Sequence, residues 1–323
     1  MRLETVERVL NDDLQRVEEQ LLECTASTYE FVDLAVQHVI SGGGKRLRPA
    51  LLLLSAKALG YDGDKAHELA AAMELIHVGS LVHDDVIDEA AMRRNRETLN
   101  AKFGNKVAVL VGDYMHARVL SILAGSPPEI LRVVAEATQA MCEGEVIGAY
   151  KASDFELEPR DYYRIIELKT AKLIAASCAV GALLATDDPR KRDALTRYGT
   201  AVGTAFQVVD DILDLIGETA KFGKPTRNDL REGKITLPVM YTRDHCASDE
   251  RRELQHLFSK DERAPEDIAR IVELTERYGA VDAAFGAVDE FSRQAKDAIA
   301  PLEPSLAKDA LCELVDYLAE RDM

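Results

Sequence analysis

Five cysteines are all that the 323 residues contain, and Cys24, Cys142, Cys178, Cys246 and Cys312 are scattered with no CxxC spacing. This excludes a cysteine-built zinc site and a disulfide framework, since both need thiols in close or paired spacing. Positive charge is scarce as well, with 40 Lys+Arg against 57 Asp+Glu and a formal net charge of −17. A surface of that sign is repelled by nucleic acid and by anionic lipid, so neither is expected as a partner. Long apolar runs are missing too. The longest, residues 173–185, falls short of the roughly 20 residues that a membrane span needs. The opening MRLETVERVLNDDLQRVEEQ is charged from its second residue and lacks the apolar centre of a secretory signal. No transmembrane segment and a cytoplasmic location are the expectations.

Strand patterning is absent as well: no stretch alternates apolar and polar residues with the β-branched enrichment that a strand requires. There is no low-complexity linker and no composition break. What is present is helical periodicity and 47% hydrophobic residues to build a core. The pattern predicts an amphipathic opening to about Glu23, then helices over 29–40, 50–59, 66–82, 106–124, 128–150, 159–184 and 189–216. Segment 66–82 is apolar nearly all round, which marks a buried helix. A polar loop rich in Gly and Lys fills 217–233, and helices resume at Ile235. One all-α domain over residues 1–323, a helical bundle, is the simplest reading.

Into this background falls SLVHDDVIDEAAMRR, residues 80–94, where Asp84, Asp85 and Asp88 interrupt an apolar helix. Asp84 and Asp88 stack one turn apart and Asp85 flanks them. Carboxylates this close repel one another and resist leaving water, and a bound hard cation resolves both problems. AFQVVDDILDLI repeats the spacing with Asp210, Asp211 and Asp214, far enough along the chain to lie on a different helix. Two such clusters make sense facing one another, as metal sites are built between helices of a bundle. An all-oxygen ligand set suits Mg2+, with Mn2+ as the alternative, and Mg2+ commonly bridges carboxylates to substrate phosphates.

The few cations gather where an anion could meet them. GGGKRLRP sets Lys45, Arg46 and Arg48 beside three glycines; Arg93 and Arg94 follow the first acidic cluster; Lys169 and Thr170 sit in the apolar ELKTAKLI; Lys224 and Lys234 bracket the loop after the second cluster. Glycine freedom lets backbone amides and long cations converge on a phosphate. His77 lies two turns before Asp84 on the same face, and Gln207 about one turn before Asp210. Together these groups describe a site for two diphosphates, one held through metal and one mainly by cations.

Taken in order, GGGKRLRP, ELIHVGSLVHDDVID, the arginine pair, GNKVAVLVGDYMHAR, EGEV, ELKTAKL, AFQVVDDILD and EGKITLP resemble the trans-isoprenyl diphosphate synthases, the polyprenyl synthetase family. The resemblance covers residues from about Ser41 to Pro238, and the outer ends match only in helical character. It implies an isoprenoid synthase-like bundle around a deep central cavity, usually a homodimer, that joins isopentenyl diphosphate to an allylic diphosphate and passes its lipid product on to a membrane. It also implies roles. Asp84, Asp88 and Asp210 are the principal metal ligands, with Asp85, Asp211 and Asp214 as ligands or their supports. Lys45, Arg48, His77 and Arg94 hold isopentenyl diphosphate, with Lys224 also on the substrate side. Arg93, Lys169 and Lys234 hold the allylic diphosphate, and Thr170 and Gln207 line the reacting carbons.

Two departures stand out: Asn95, Arg96, Glu97 and Thr98 replace the usual Gly-x-Pro-Thr, and Asn228 replaces a common glycine. The first leaves the path of that loop open; at the second, asparagine tolerates left-handed backbone. In the family, aromatic residues at the positions of Gly79 and Ser80 close the cavity early. Both residues are small here, and Ser80, Ile76 and Met73 continue the face of Asp84 at about 5.4 Å per turn. The expectation is an all-trans product of about thirty carbons or more. The alternatives are a geranylgeranyl diphosphate synthase and, in another class, a non-catalytic subunit of a heteromeric synthase. A non-catalytic subunit is expected to have lost acids or cations that this chain keeps.

Overall fold

A computed structural model describes residues 3–217 and 227–319. Proline sets many of the helix starts, because its missing N–H lies among the donors that a first turn leaves unpaired anyway. The chain opens with α1 (Glu4–Leu10), α2 (Asp13–Thr25) and α3 (Glu30–Ile40), followed by α4 (Leu47–Ala58) and α5 (Lys65–Ile87). A hairpin, β1 (Met92–Arg93) and β2 (Arg96–Glu97), leads to α6 (Leu99–Phe103), α7 (Asn105–Leu123) and α8 (Pro128–Lys151). Then come α9 (Pro159–Ile166), a π-helical turn (Glu167–Ala171), α10 (Lys172–Ala185) and α11 (Pro189–Ile216). After the undescribed stretch follow α12 (Asn228–Glu232), α13 (Leu237–His245), α14 (Ser248–Phe258), α15 (Pro265–Arg277), α16 (Ala280–Ile299) and α17 (Leu306–Ala319). The Asp188 side chain caps α11 by accepting from the Arg190 N–H at 2.9 Å.

The core has two apolar clusters, and α11 contributes to both. Its first half, through Val202, packs with α4, α5 and α10, while residues from Ala205 to Leu215 pack with α13 to α16. The acidic cluster of α11 sits on the second half of that helix. As the all-round apolar pattern implies, α5 is buried along nearly all of Ala66 to Val82. The run from Pro159 to Ala185 is long and apolar enough to cross a membrane, yet 72% of its most apolar stretch is buried inside the bundle. Its apolarity is used by the core.

Two features depart from the sequence reading. The hairpin is a strand pair where none was expected: Met92 faces Glu97 and Arg93 faces Arg96 across an antiparallel ladder. Arg94 and Asn95 at its tip have φ 51° and 60°, the left-handed pair that a two-residue turn between twisted strands requires. Such short polar strands carry no alternation to read. The second departure is the π turn inside what reads as one helix over 159–184. It is gripped from both sides, since a Cβ on Gly144 of α8 would stand 2.5 Å from the Lys169 nitrogen, and one on Gly203 of α11 would stand 2.6 Å from the Ala171 Cα. Glycine at these places lets three helices close on a widened turn.

Gly203→Ala is therefore expected to destabilise the protein by about 1–3 kcal/mol through overpacking against backbone. Gly286, exposed within α16 with open space around it, provides the contrast. There, Gly286→Ala should stabilise by about 0.5–1 kcal/mol through helix propensity alone. Urea denaturation of both variants checks the pair, and equal effects would contradict the packing described.

Candidate active site

At the C-terminal end of α5, desolvation and the nearby Glu145 push the Asp84 carboxyl up to about 6, with Lys169 working against them. Asp88, just past the helix end, is raised by desolvation and Glu232, against Lys234 and Lys169. Because Lys234 follows the second cluster in sequence and still acts on Asp88 of the first, the two acidic ends share one site. Asp85 is committed elsewhere: its Oδ1 accepts from Arg93 Nε at 2.7 Å, and its residue is 6% exposed.

The α11 cluster sorts in a similar way. Asp211 is buried, its Oδ2 accepting from Tyr162 Oη at 2.7 Å and its Oδ1 from Gln207 Nε2 at 2.9 Å. Burial and Asp229 push it up to about 8 against those two bonds. Asp214 ties the returning chain down, its Oδ2 accepting from the Asp229 N–H at 3.0 Å and its carbonyl from the Arg227 N–H at 2.7 Å. Arg227 (φ 63°) takes the left-handed backbone that the sequence reading gave to Asn228, which instead begins α12. Asp210 lies near enough to act on both Arg48 and Asp211.

Asp85, Asp211 and Asp214 thus have side-chain oxygens engaged by protein groups. Among the described residues no three acidic, histidine or cysteine side chains converge on one point, so there is no all-protein cage. The Asp84 and Asp88 carboxylates, one turn apart at the end of α5, are oxygen donors of the kind a hard divalent cation takes, through one or two carboxylates plus substrate phosphates.

Above the acids lies the π turn. Lys169 Nζ donates to Glu145 Oε2 at 2.8 Å, and Thr170 Oγ1 donates to Gln207 Oε1 at 2.7 Å. Lys234 pairs with Glu232 at 2.5 Å and with Asp229 at 3.5 Å. Burial lowers its ammonium, but Asp229, Glu232 and Asp88 together outweigh that and hold it above its ordinary range. Glu145 was not singled out from sequence, although EGEV carries it; Tyr162, in DYY ahead of an apolar helix, offers no local sign at all. Lys224 lies outside the described residues.

The cationic half of the site rests on the glycine loop. Gly43 has φ 68°, and its carbonyl accepts from the Arg94 guanidinium, so hairpin tip and loop are joined. The three arginines and lysine here divide by partner. Arg46, itself left-handed at φ 47°, pairs with Glu18 of α2, donates to Glu74 of α5 at 2.9 Å and to the Ile40 carbonyl at 3.2 Å. Arg48 is 8% exposed and its buried Nε has no hydrogen-bond partner among the described residues; burial holds its guanidinium below the ordinary range. Lys45 reaches over the Tyr317 ring of α17 at 5.9 Å. His77 is driven well below its ordinary range by desolvation and then by Arg48, Arg94, Arg93 and Arg46. A neutral imidazole on which four guanidiniums act marks a cation-lined pocket suited to a polyanion.

Along α5 below Asp84, Ser80 is half-buried and donates to the His77 carbonyl at 2.8 Å. Ile76 is 1% and Met73 0% exposed, so these two deeper positions are buried, whereas His77 and Ser80 are half-buried. Gly79 is buried, and a Cβ there would stand 2.9 Å from His116 Cε1 of α7. The small residue at 79 admits a neighbouring helix's ring.

The sequence profile described as polyprenyl synthetase matches residues 30–275. The chain is similar to heptaprenyl diphosphate synthase component 2 of Geobacillus stearothermophilus, 37% identical over 100% of both chains. It is 34% identical to octaprenyl diphosphate synthase of Haemophilus influenzae, over 100% of this chain and 98% of that one. The solved polyprenyl synthase from Caulobacter crescentus CB15, complexed with calcium and isoprenyl diphosphate, superposes with a TM-score of 0.95 at 33% identity, covering 100% of this chain and 98% of that one.

The division between Arg46 and Arg48 is open to test. Arg46→Ala leaves Glu74 buried without its cation and should cost about 3–5 kcal/mol. Arg48→Met removes a buried charge with an unsatisfied nitrogen and should leave stability unchanged or raise it, while weakening diphosphate binding. Chemical denaturation alongside calorimetric titration of isopentenyl diphosphate reads both, and a large stability loss in Arg48→Met would reverse the assignment.

Proposed function

The chain belongs to the polyprenyl synthetase family and is a trans-prenyltransferase, and from that premise we propose how its site works and what it makes. It condenses isopentenyl diphosphate with an allylic diphosphate, acting as one domain over residues 1–323, and releases an all-trans polyprenyl diphosphate of about thirty carbons or more. The observation that carries this reading is the juxtaposition of an acid-lined half, Asp84 and Asp88 with Lys169 and Lys234 beside them, and a cation-lined half around His77. Asp84, Asp88 and Asp210 are the proposed principal ligands of Mg2+, or of Mn2+ in its place. Bound divalent ions supply neutralisation of the allylic diphosphate as it leaves.

The chain's own residues do the rest. Lys169, Lys234 and Arg93 lie on the acidic side, where they meet negative charge as it grows on the departing diphosphate. Lys45, Arg48, His77 and Arg94 grip the other diphosphate, which stays attached. With both headgroups fixed, the double bond of isopentenyl diphosphate is held facing the allylic carbon, so that reaction becomes a matter of position. The carbon–oxygen bond breaks, the new carbon–carbon bond forms, and a proton lost to the departing diphosphate restores a double bond. Thr170 Oγ1 donates to Gln207 Oε1 at 2.7 Å and Gln207 Nε2 to Asp211 Oδ1 at 2.9 Å, which fixes the orientation of both side chains. Exclusion of water protects the allylic cation.

Val109, Leu110 and Leu120 on α7 and Val146 and Tyr150 on α8 are exposed large apolar side chains. A second copy covering them is the proposed assembly, working in the cytoplasm and passing its product to a membrane. A relative named as component 2 of a heptaprenyl synthase favours a second reading, in which a non-identical partner sits there instead. Retention of every charged group argues against a non-catalytic role in either assembly. Size-exclusion chromatography with light scattering on the protein alone separates the two readings.

Incubation with isopentenyl and farnesyl diphosphates, followed by chromatography of the products, tests the reaction. Excess chelator should stop turnover, and Asp84→Ala or Asp210→Ala should lower it by on the order of 10³-fold in a folded protein; full activity in chelator would sink the metal reading. Product length is read in the same assay. Ser80→Phe, on the α5 face below Asp84, should shorten the product by filling the cavity without touching the metal ligands. An unchanged product would show that this face does not measure the chain, and a twenty-carbon wild-type product would favour the geranylgeranyl alternative.

A further inference from the structure

The buried wall behind the acids contains a chain of hydrogen bonds that ends on the π turn. Tyr162 Oη donates to Asp211 Oδ2 at 2.7 Å, Gln207 Nε2 donates to Asp211 Oδ1 at 2.9 Å, and Thr170 Oγ1 donates to Gln207 Oε1 at 2.7 Å. The polarity of the chain is fixed by its members. With Asp211 ionised, its carboxylate only accepts, so it takes the amide nitrogen of Gln207, which turns the amide oxygen toward Thr170 and makes the threonine hydroxyl the donor. A flipped Gln207 would set oxygen against carboxylate.

Tyr162 is 4% exposed and lies in the second apolar cluster, where its ring meets Tyr163 at 5.3 Å. A hydroxyl in that setting takes the partner available to it, and here the partner is one oxygen of a buried acid. Thr170 follows Lys169 in the π turn, a turn whose widened register is less self-sustaining than an α-helix and is met chiefly at functional sites. Resting on the transferase reading, we propose that Tyr162 is a positioning residue for prenyl transfer: it fixes Asp211, Asp211 fixes the Gln207 amide, and that amide holds Thr170 and the adjoining Lys169 in place. Asp211 then orients neighbours and does not ligate metal, unlike Asp210 beside it.

The test uses the full chain and four variants: Tyr162→Phe, which keeps the ring in its core, Thr170→Val, their double variant, and Asp210→Ala. Turnover number and Michaelis constants are measured at saturating metal, Mn2+ binding with inorganic pyrophosphate is followed by electron paramagnetic resonance, and melting temperature is recorded. Tyr162→Phe is expected to lower the turnover number by about 10- to 100-fold, the range for a reacting group slightly misplaced. The Michaelis constant for isopentenyl diphosphate should stay within about twofold. Mn2+ stoichiometry and melting temperature should hold in Tyr162→Phe, and Mn2+ binding should fall in Asp210→Ala. Because Tyr162→Phe and Thr170→Val cut the same chain, the double variant should be little worse than the more impaired single one.

The proposal is overturned by a wild-type turnover number in Tyr162→Phe, by effects that multiply in the double variant, or by loss of Mn2+ binding in Tyr162→Phe comparable to that in Asp210→Ala. A fall in melting temperature that accounts for the lost activity as unfolded protein also overturns it. A wild-type chain that transfers no prenyl group fails separately, at the parent reading, and takes this one with it.

Discussion

Carboxylates held in apolar helices stand in a place where neutrality would cost less than charge, and the protein is organised around tolerating them. Asp84, Asp88 and Asp211 are all pushed upward by burial and by other acids nearby. No packing change inside α5 or α11 could relieve this, because both helices need their apolar flanks for the core. Relief comes from outside each helix: Lys169 from the π turn, Lys234 from the chain after α12, Arg93 from the hairpin. The strain is local, and the two apolar clusters that carry most of the stability lie to either side of it, in keeping with function drawn at some expense from a well-packed scaffold.

The same logic of opposed charge explains why the cationic half is built differently. Acids sit on long regular helices, whereas the cations come from a glycine loop and a hairpin tip. Backbone in left-handed conformations at Gly43, Arg46, Arg94 and Asn95 brings several guanidiniums to one place, which a regular helix surface could not do at that density. Arg46 holds the loop to α2 and α5, and Arg94 holds the hairpin to the loop. The pocket around His77 is therefore preformed, with its repulsion compensated from behind by Glu18 and Glu74.

Much of this was legible in the sequence. The all-round apolar pattern of α5, the proline starts and the repeated aspartate spacing each have a local cause, so helices and acidic clusters could be placed without tertiary information. What was hidden depends on contacts between distant segments. Nothing in KRLR distinguishes Arg46, paired to two acids, from Arg48, whose buried Nε has no hydrogen-bond partner among the described residues; only the approach of α2 and α5 does so. The hairpin was missed because its ladder is too short for a period to register. The π turn was missed because its cause is the grip of Gly144 and Gly203 from other helices. Tyr162 carries no sign in its neighbours, its meaning arising at Asp211, far along the chain. Small size at Gly79 was read as open space, yet a ring from α7 occupies it, and sequence cannot tell a void from a filled notch.

The π turn has a consequence for how such chains change over time. A π turn spends one more residue per turn than an α-helix, so it records, in effect, an inserted residue that the helix never expelled. Loss of any one residue between Glu167 and Ala171 would let the backbone return to regular α geometry at no local penalty. The flanking helices would keep their phase, because the widened turn is what absorbed the extra residue, but residues inside the turn would move by up to about 100° around the axis, and Lys169 and Thr170 could no longer share the site while Tyr162 kept its place. Single-residue deletions are thus barred here for a reason of phase within the turn. The turn is a fixed landmark: in homologous chains of differing length, gaps should accumulate in the connections before α9 and after α10 and leave these five residues whole.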